Sequence, residues 1–214
     1  MQQMSATERM INMKKLMILG AGVYQVPLIK RAKEKGLYTI VVSIPGDYPG
    51  FKLADKIYYE NTTDCEKILE IAQKENIDGI VTAGTDVAVV TVGRVCDAMK
   101  LCGISYEAAQ ISGDKLLMKD QYEKYGVRTA KYRKIFFADK DIEKKISELT
   151  QPLIFKAVDS SGSRGIIRID DLSKCKETIE EVKKYTKKDY FIAEEFLEGE
   201  EFGAQAYILG GKVQ

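Results

Sequence analysis

Histidine is missing from all 214 residues, and that absence removes whole classes of chemistry. Without an imidazole, neither a Ser-His-Asp nor a Cys-His arrangement can be assembled from these residues. Zinc-ligand spacing is missing as well: Cys65, Cys96, Cys102 and Cys175 are scattered, with no C-x-x-C pair and no histidine to complete a ligand set. Free thiols fit a reducing compartment, so a cytoplasmic location is the expectation. Net charge is equally lacking, since 33 Lys+Arg against 32 Asp+Glu leave +1. No global field recruits nucleic acid or an acidic membrane, and neither is expected as a partner. No apolar run approaches membrane-spanning length. Residues Met1–Asn12 are polar and lack the apolar middle of a signal peptide, so they read as a disordered extension ahead of a folded part starting at Met13. Chemistry here must rest on Lys, Arg, carboxylates and backbone.

With 45% hydrophobic residues, the chain can bury the core of one large domain or two small ones. Its first half alternates strand and helix. Lys15–Leu19 is a short apolar run ending in Gly20-Ala21-Gly22; a helical pattern with Val26, Ile29 and Ala32 follows and stops at Gly36. Tyr38–Ser43 is the next strand. Beyond the Pro45–Gly50 loop, Thr63 and Glu66 have capping-box spacing ahead of Ile68, Leu69, Ile71 and Ala72. Ile77–Ala83 reads as a strand, Asp86–Leu101 as a helix, and Ile104 opens a further short run. Continuous apolar strands alternating with helices imply an α/β fold, a parallel sheet covered on both faces.

Gly20-x-Gly22 is the start of a dinucleotide fingerprint, but its third glycine falls at Gln25, and no acidic residue closes the second strand at Val42–Ser43. An NAD(P) site on this sheet is therefore the weaker alternative. Gly20 and Gly22 still open a helix N-terminus, and Thr85 with Asp86 ends another strand at the same carboxyl edge, where open α/β sheets bind ligands. A small carboxylate or amine substrate could sit there; capping the next helix is the plainer role for Thr85 and Asp86.

Ser112-Gly113-Asp114 punctuates the chain before a helix running to about Tyr125, with Lys115 in its first turn, where a cation opposes the helix dipole. After Gly126 come a strand (Lys131–Phe136), a helix (Asp139–Leu149), a hairpin, a helix (Leu172–Tyr185) and a strand (Tyr190–Phe196). The hairpin strands, Leu153–Val158 and Ile166–Ile169, flank Ser160-Ser161-Gly162-Ser163-Arg164-Gly165. Small residues let backbone amides approach an anion, and Lys156 and Arg164 add cations. The loop alone fits either a phosphate-covering flap or a mobile surface connection. Ala193-Glu194-Glu195-Phe196-Leu197-Glu198-Gly199-Glu200-Glu201 then joins the last strand to another, Phe202–Leu209. Its carboxylates could accept hydrogen bonds from amine and hydroxyl groups, or could simply discourage edge pairing.

Taken in order, Lys115, then Lys156 ahead of the Ser/Gly loop, then Glu194-Glu195-Phe196-Leu197 with Glu201, resembles the ATP-grasp superfamily, most nearly carbamoyl-phosphate synthase large-subunit-like carboxylate–amine ligases. The resemblance implies a pre-ATP-grasp, Rossmann-like parallel-sheet domain (residues 13–111), a helical linker (112–128), an α+β lid subdomain (129–197), and the start of a truncated C-terminal lobe (198–214). It implies that Lys115 and Lys156 contact ATP phosphates and that Ser161, Gly162 and Ser163 close over them. Glu194 would take the adenine amino group, with backbone groups of Glu195 and Leu197, and Glu201 the ribose hydroxyls. Arg164 would steady the phosphoryl group during transfer. Glu195 departs from the lysine common among relatives, which a backbone contact would survive. Mg²⁺ is implied as cofactor, its ligands lying beyond Gln214, so no metal site is expected in this chain, which reads as a fragment. The implied activity is activation of a carboxylate as an acyl phosphate for attack by an amine or other nucleophile, in a protein that could pair as a homodimer. A non-catalytic ATP-binding regulatory or scaffold fragment is the main alternative.

Overall fold

A computed structural model of the protein describes residues 13–214, so the expected extension at residues 1–12 lies outside the described residues. The described chain divides into two compact units between Val127 and Arg128. Each is built around its own core.

In the first unit β1 (Lys15–Leu19), β2 (Tyr38–Ser43), β3 (Lys56–Tyr59) and β4 (Gly79–Thr82) form a wholly parallel sheet in the order β3-β2-β1-β4. Because side chains alternate across a strand, Met17 and Leu19 face one way and Ile18 the other. Met17, Leu19, Ile40, Val42 and Ile80 pack against α2 (Cys65–Glu75) and α3 (Val89–Met99). Ile18 and Val41 pack instead against Ile29 and Ala32 of α1 (Val26–Glu34) and Phe51 of a 3-10 turn at Pro49–Leu53. Both faces are covered, which is why the strands read as unbroken apolar runs.

Three local expectations shift. Strand β3 escapes the sequence reading: Lys-Ile-Tyr-Tyr is a partly exposed edge strand with no alternation to mark it. Helix α2 is capped by Asp64, whose carboxylate accepts from the Lys67 amide (3.0 Å), while Glu66 pairs with Arg94 (2.8 Å); the Thr63/Glu66 capping box is not formed. The run opened at Ile104 is no strand. It leads into α4 (Tyr106–Gly113), capped by Ser105, whose hydroxyl accepts from the Ala108 amide (3.1 Å). Asp114 then caps α5 (Lys115–Lys124) through the Leu116 and Leu117 amides (2.8 and 3.3 Å), and Gly126, with φ +68°, ends it.

The second unit is an antiparallel sheet, β5-β8-β6-β7, from β5 (Tyr132–Phe136), β6 (Leu153–Lys156), β7 (Ile166–Ile169) and β8 (Tyr190–Glu195). Leu153, Phe155, Phe191, Ala193 and Ile135 form one face, sealed by Ile146 of the short α6 (Ile142–Ile146) and by Cys175, Ile179 and Val182 of α7 (Cys175–Lys183). Helix α6 is one turn rather than the span Asp139–Leu149, since only Ile142, Ile146 and Leu149 reach the core. The expected strand from Phe202 is confined to β9 (Ile208–Leu209), paired with β10 (Lys212–Val213) across Gly210-Gly211, both at positive φ as a two-residue hairpin demands.

Candidate active site

Period-two alternation leaves the other face of the second sheet to Ile154, Lys156, Ile192, Glu194 and Tyr132. Ile154 lies opposite Glu194, and Lys156 opposite Ile192, so Lys156 and Glu194 are diagonal neighbours on that face. Their side chains form an ion pair. Glu194 is 4% exposed, and a carboxylate so buried calls for a cation. Ile154, Ile192 and Tyr132, all buried, make an apolar floor around the pair. Such a floor with one cation and one carboxylate can hold a planar ring, an anion and an amino group.

The β6–β7 hairpin carries the small-residue loop. Gly162, Ser163 and Gly165 all adopt left-handed backbone (φ +66°, +58° and +66°). Gly162 has open space around it, whereas a Cβ at Gly165 would come within 2.6 Å of Tyr185 Cβ and 2.8 Å of Ala157 Cβ. One glycine therefore gives the loop freedom and the other gives it a close-packed root. The root is further tied by the Ala157 amide donating to the Gly165 carbonyl (2.8 Å). The Asp159 carboxylate adds to this by accepting from the Thr186 hydroxyl (2.5 Å) and the Lys187 amide (3.1 Å). The exposed Arg164 donates from Nε to the Ser161 carbonyl (3.1 Å).

Glu195 points the other way. Its carboxylate accepts from the Thr150 amide (2.8 Å), a bond that holds it below the ordinary glutamate range. Its own amide donates to Lys131 O (3.0 Å). Leu197 is exposed, beyond the point where the Phe196 amide makes a last sheet bond to Pro152 O (2.9 Å). Glu201 lies further on, with Glu200, Phe202 and Gly203 around an open recess. Lys115 belongs to the first unit, at the first position of α5, where the Asp114 cap offsets the dipole it opposes. Among the described residues no group of three or more His, Cys, Asp or Glu could hold a metal ion.

A scan against family models matches residues 113–214 to the phosphoribosylglycinamide synthetase ATP-grasp (A) domain. The chain is 29% identical over 199 residues to phosphoribosylamine–glycine ligase of Clostridium acetobutylicum, covering 87% of this chain and 46% of that protein. The crystal structure of phosphoribosylglycinamide synthetase from Anaerococcus prevotii superposes with a TM-score of 0.72 at 35% identity, over 94% of this chain and 50% of that one. The chain belongs to the ATP-grasp superfamily.

A second relative is alanine–anticapsin ligase of Bacillus subtilis, 27% identical over 76% of this chain and 39% of that protein. The chain thus spans about half the length of the curated relatives it matches or less. The fold alone is shared with N5-carboxyaminoimidazole synthetase of Staphylococcus aureus complexed with ADP (TM-score 0.68, 21% identity).

The first sheet of this ATP-grasp chain is unsuited to a dinucleotide. Gln25 occupies the space beside the glycine loop: a Cβ on Gly20 would meet its side chain at 2.9 Å, and one on Gly22 at 3.2 Å. The Gln25 side-chain amide donates to the Ala83 carbonyl, bridging two strand ends. The first helical turn is thus covered by a protein side chain where a pyrophosphate would lie. Thr85 and Asp86 do not cap α3, whose first flanking residue is Ala88, with no side-chain bond. Sequence reasoning left Tyr132, Ile154 and Ile192 out of the candidate site. Their places follow from register with Lys156 and Glu194, and register becomes available only once the strands are paired.

Proposed function

We propose that this chain carries part of the ATP site and the substrate-side sheet of an ATP-dependent ligase. A substrate carboxylate oxygen attacks the γ-phosphorus of ATP and ADP leaves. An amine, or another nucleophile, then attacks the acyl phosphate carbon and inorganic phosphate leaves. The observation that carries this reading is the Lys156–Glu194 pair on an apolar floor, in the same sheet as the Gly/Ser hairpin. Relatives named as phosphoribosylamine–glycine and alanine–anticapsin ligases join an amine to a carboxylate, and they support the reaction class.

In this reading Lys156 serves the phosphates near the adenine pocket, Glu194 takes the adenine amino group, and the Glu195 carbonyl and Leu197 amide complete the edge of the base. Glu201 takes ribose hydroxyls. Ser161, Gly162 and Ser163 form a lid over the phosphates, and Arg164 neutralises charge on the phosphoryl group in flight. Lys115 contributes a further phosphate contact. The chemistry needs positioning and charge rather than an imidazole, in keeping with a chain that has no histidine. Mg²⁺ would enter with the nucleotide. We assign residues 13–111 to the pre-ATP-grasp domain, 112–128 to a linker, 129–197 to the lid subdomain and 198–214 to the start of the last lobe. The four free cysteines support a cytoplasmic setting, and a homodimer is the assembly we propose.

The test is a phosphate-release screen of the complete protein with ATP, Mg²⁺ and pools of carboxylates and amines. Release that needs both an acid and an amine supports the ligase. ATP binding with no turnover on any pool would favour a regulatory fragment.

A further inference from the structure

Two cysteines near the end of α3 differ sharply in exposure. Cys96 is buried (2% exposed) in the core of the first unit, whereas Cys102 is exposed in the turn between α3 and α4. Helix α3 stops because Lys100 turns left-handed (φ +55°), and the chain folds back along its last turn. The Leu101 amide then donates to the Cys96 carbonyl (2.9 Å). At Gly103 the backbone lies so close that a Cβ there would meet Cys96 Sγ at 2.5 Å and Cys96 Cβ at 3.5 Å. Residues on both sides of Cys102 thus touch Cys96, one at its carbonyl and the other at its sulfur. The turn is tied again where the Tyr106 amide donates to Asp97 Oδ2 (2.8 Å). A disulfide needs Cα atoms within about 7 Å, and this bracketing keeps Cys102 beside Cys96.

Environment divides the chemistry between the two thiols. Burial first, then the charges of Asp97 and Cys102, push the Cys96 thiol up, so little of it is thiolate. Cys102 is exposed and meets a dissolved reagent first. The remaining thiols are placed elsewhere. Cys65 Sγ lies 3.4 Å from Thr91 Oγ1, and Cys175 is buried in the core of the second unit.

We propose that Cys96 and Cys102 form a reversible dithiol–disulfide site, closed by a low-molecular-weight disulfide such as glutathione disulfide. Cys102 loses its proton and its sulfur attacks one sulfur of the reagent; that S–S bond breaks and one glutathione leaves as the thiol. Cys96 then gives up its proton, its sulfur attacks Cys102 Sγ, and the second glutathione leaves as the thiol. Two protein thiols are oxidised, and one glutathione disulfide is reduced to two glutathiones. The bond staples the end of α3 to the turn that leads into α4. That junction is already tight, since a Cβ on Gly93 of α3 would meet Ala109 Cβ and Ser105 O at 2.8 Å. The site lies in the first unit and stands or falls independently of the ligase reading.

The test incubates the folded, reduced chain with excess glutathione disulfide, labels the remaining thiols with N-ethylmaleimide after unfolding, and maps tryptic peptides by mass spectrometry. The expected product joins Val95–Lys100 to Leu101–Lys115 and reverts with dithiothreitol. Cys102→Ser should slow loss of the Cys96 thiol by about tenfold or more, because a buried thiol then waits for local opening. Cys175 should remain a thiol over the same interval. A glutathione adduct that persists on Cys102 while Cys96 stays free overturns the inference, as does a bridge from either residue to Cys65 or Cys175. So does the absence of any reaction, or an unchanged Cys96 rate in the Cys102→Ser variant. Oxidation of Cys175 as fast as Cys96 would trace the bridge to unfolding and overturn it too.

Discussion

Lys156 and Glu194 face each other diagonally across β6 and β8, a buried carboxylate paired with a lysine that is about a quarter exposed. In the proposed site, ATP would enter between two groups already joined as an ion pair. Lys156→Met removes a charged phosphate contact and should weaken ATP by about ten- to a hundredfold, measured by calorimetry. It also takes away the cation facing Glu194, at a cost of about 1–3 kcal/mol in stability. Adding Glu194→Gln should recover most of that stability and none of the ATP affinity. Recovered affinity would contradict the role given to Lys156.

The two glycines of the hairpin predict opposite outcomes. Gly165→Ala meets Tyr185 and Ala157 at a left-handed position and should cost about 1–3 kcal/mol, read as a lower Tm. Gly162→Ala meets nothing and should cost only about 1 kcal/mol from its positive φ. It should still weaken ATP, because it stiffens the loop proposed to close over the phosphates.

Asp159 is exposed, so its loss should hardly change Tm. Its bonds to Thr186 and Lys187 nevertheless anchor the root of the flap. Asp159→Ala should speed tryptic cleavage after Arg164 and weaken ATP about fivefold, the worth of one hydrogen bond. Unchanged cleavage would mean that the root is held elsewhere.

Acid should loosen the first unit through Glu75. Burial pushes this carboxyl up, but hydrogen bonds from Lys56 Nζ (2.6 Å) and the Tyr58 hydroxyl outweigh it, and its pKa falls below the ordinary value. A lowered folded-state pKa contributes stability that is full above the unfolded value, about 4.3, and is lost as pH falls through the folded one. Tm should therefore hold from pH 7 to about pH 5 and drop below about pH 4. Glu75→Gln should be less stable at pH 7, with the gap to the parent narrowing in acid. Thermal unfolding followed by circular dichroism checks both.

Much of this fold was legible in sequence because its strands are short, apolar and separated by punctuating glycines. Lys15–Leu19 and Tyr38–Ser43 form as their residues suggest. β3 was not legible, because an edge strand half open to water carries no periodic mark. The caps went to Asp64 and Asp114, neighbours of the residues that spacing favoured in one case and unread in the other. Lys156 and Glu194 were each visible as candidates, but the ion pair joining them depends on register. Which apolar groups meet at the carboxyl edge of the first sheet was not legible for a related reason: Tyr24, Ile44, Tyr59 and Val87 lie far apart in sequence, and only the parallel order assembles them.

Photolabelling with 8-azido-ATP, followed by tryptic mapping, tests the nucleotide site most directly. The label should fall in the peptide Asp189–Lys212, which holds Glu194, Glu195 and Leu197, and Lys156→Met should abolish it. Label in Leu16–Lys30 or Glu75–Arg94, the peptides at the carboxyl edge of the first sheet, would contradict the account.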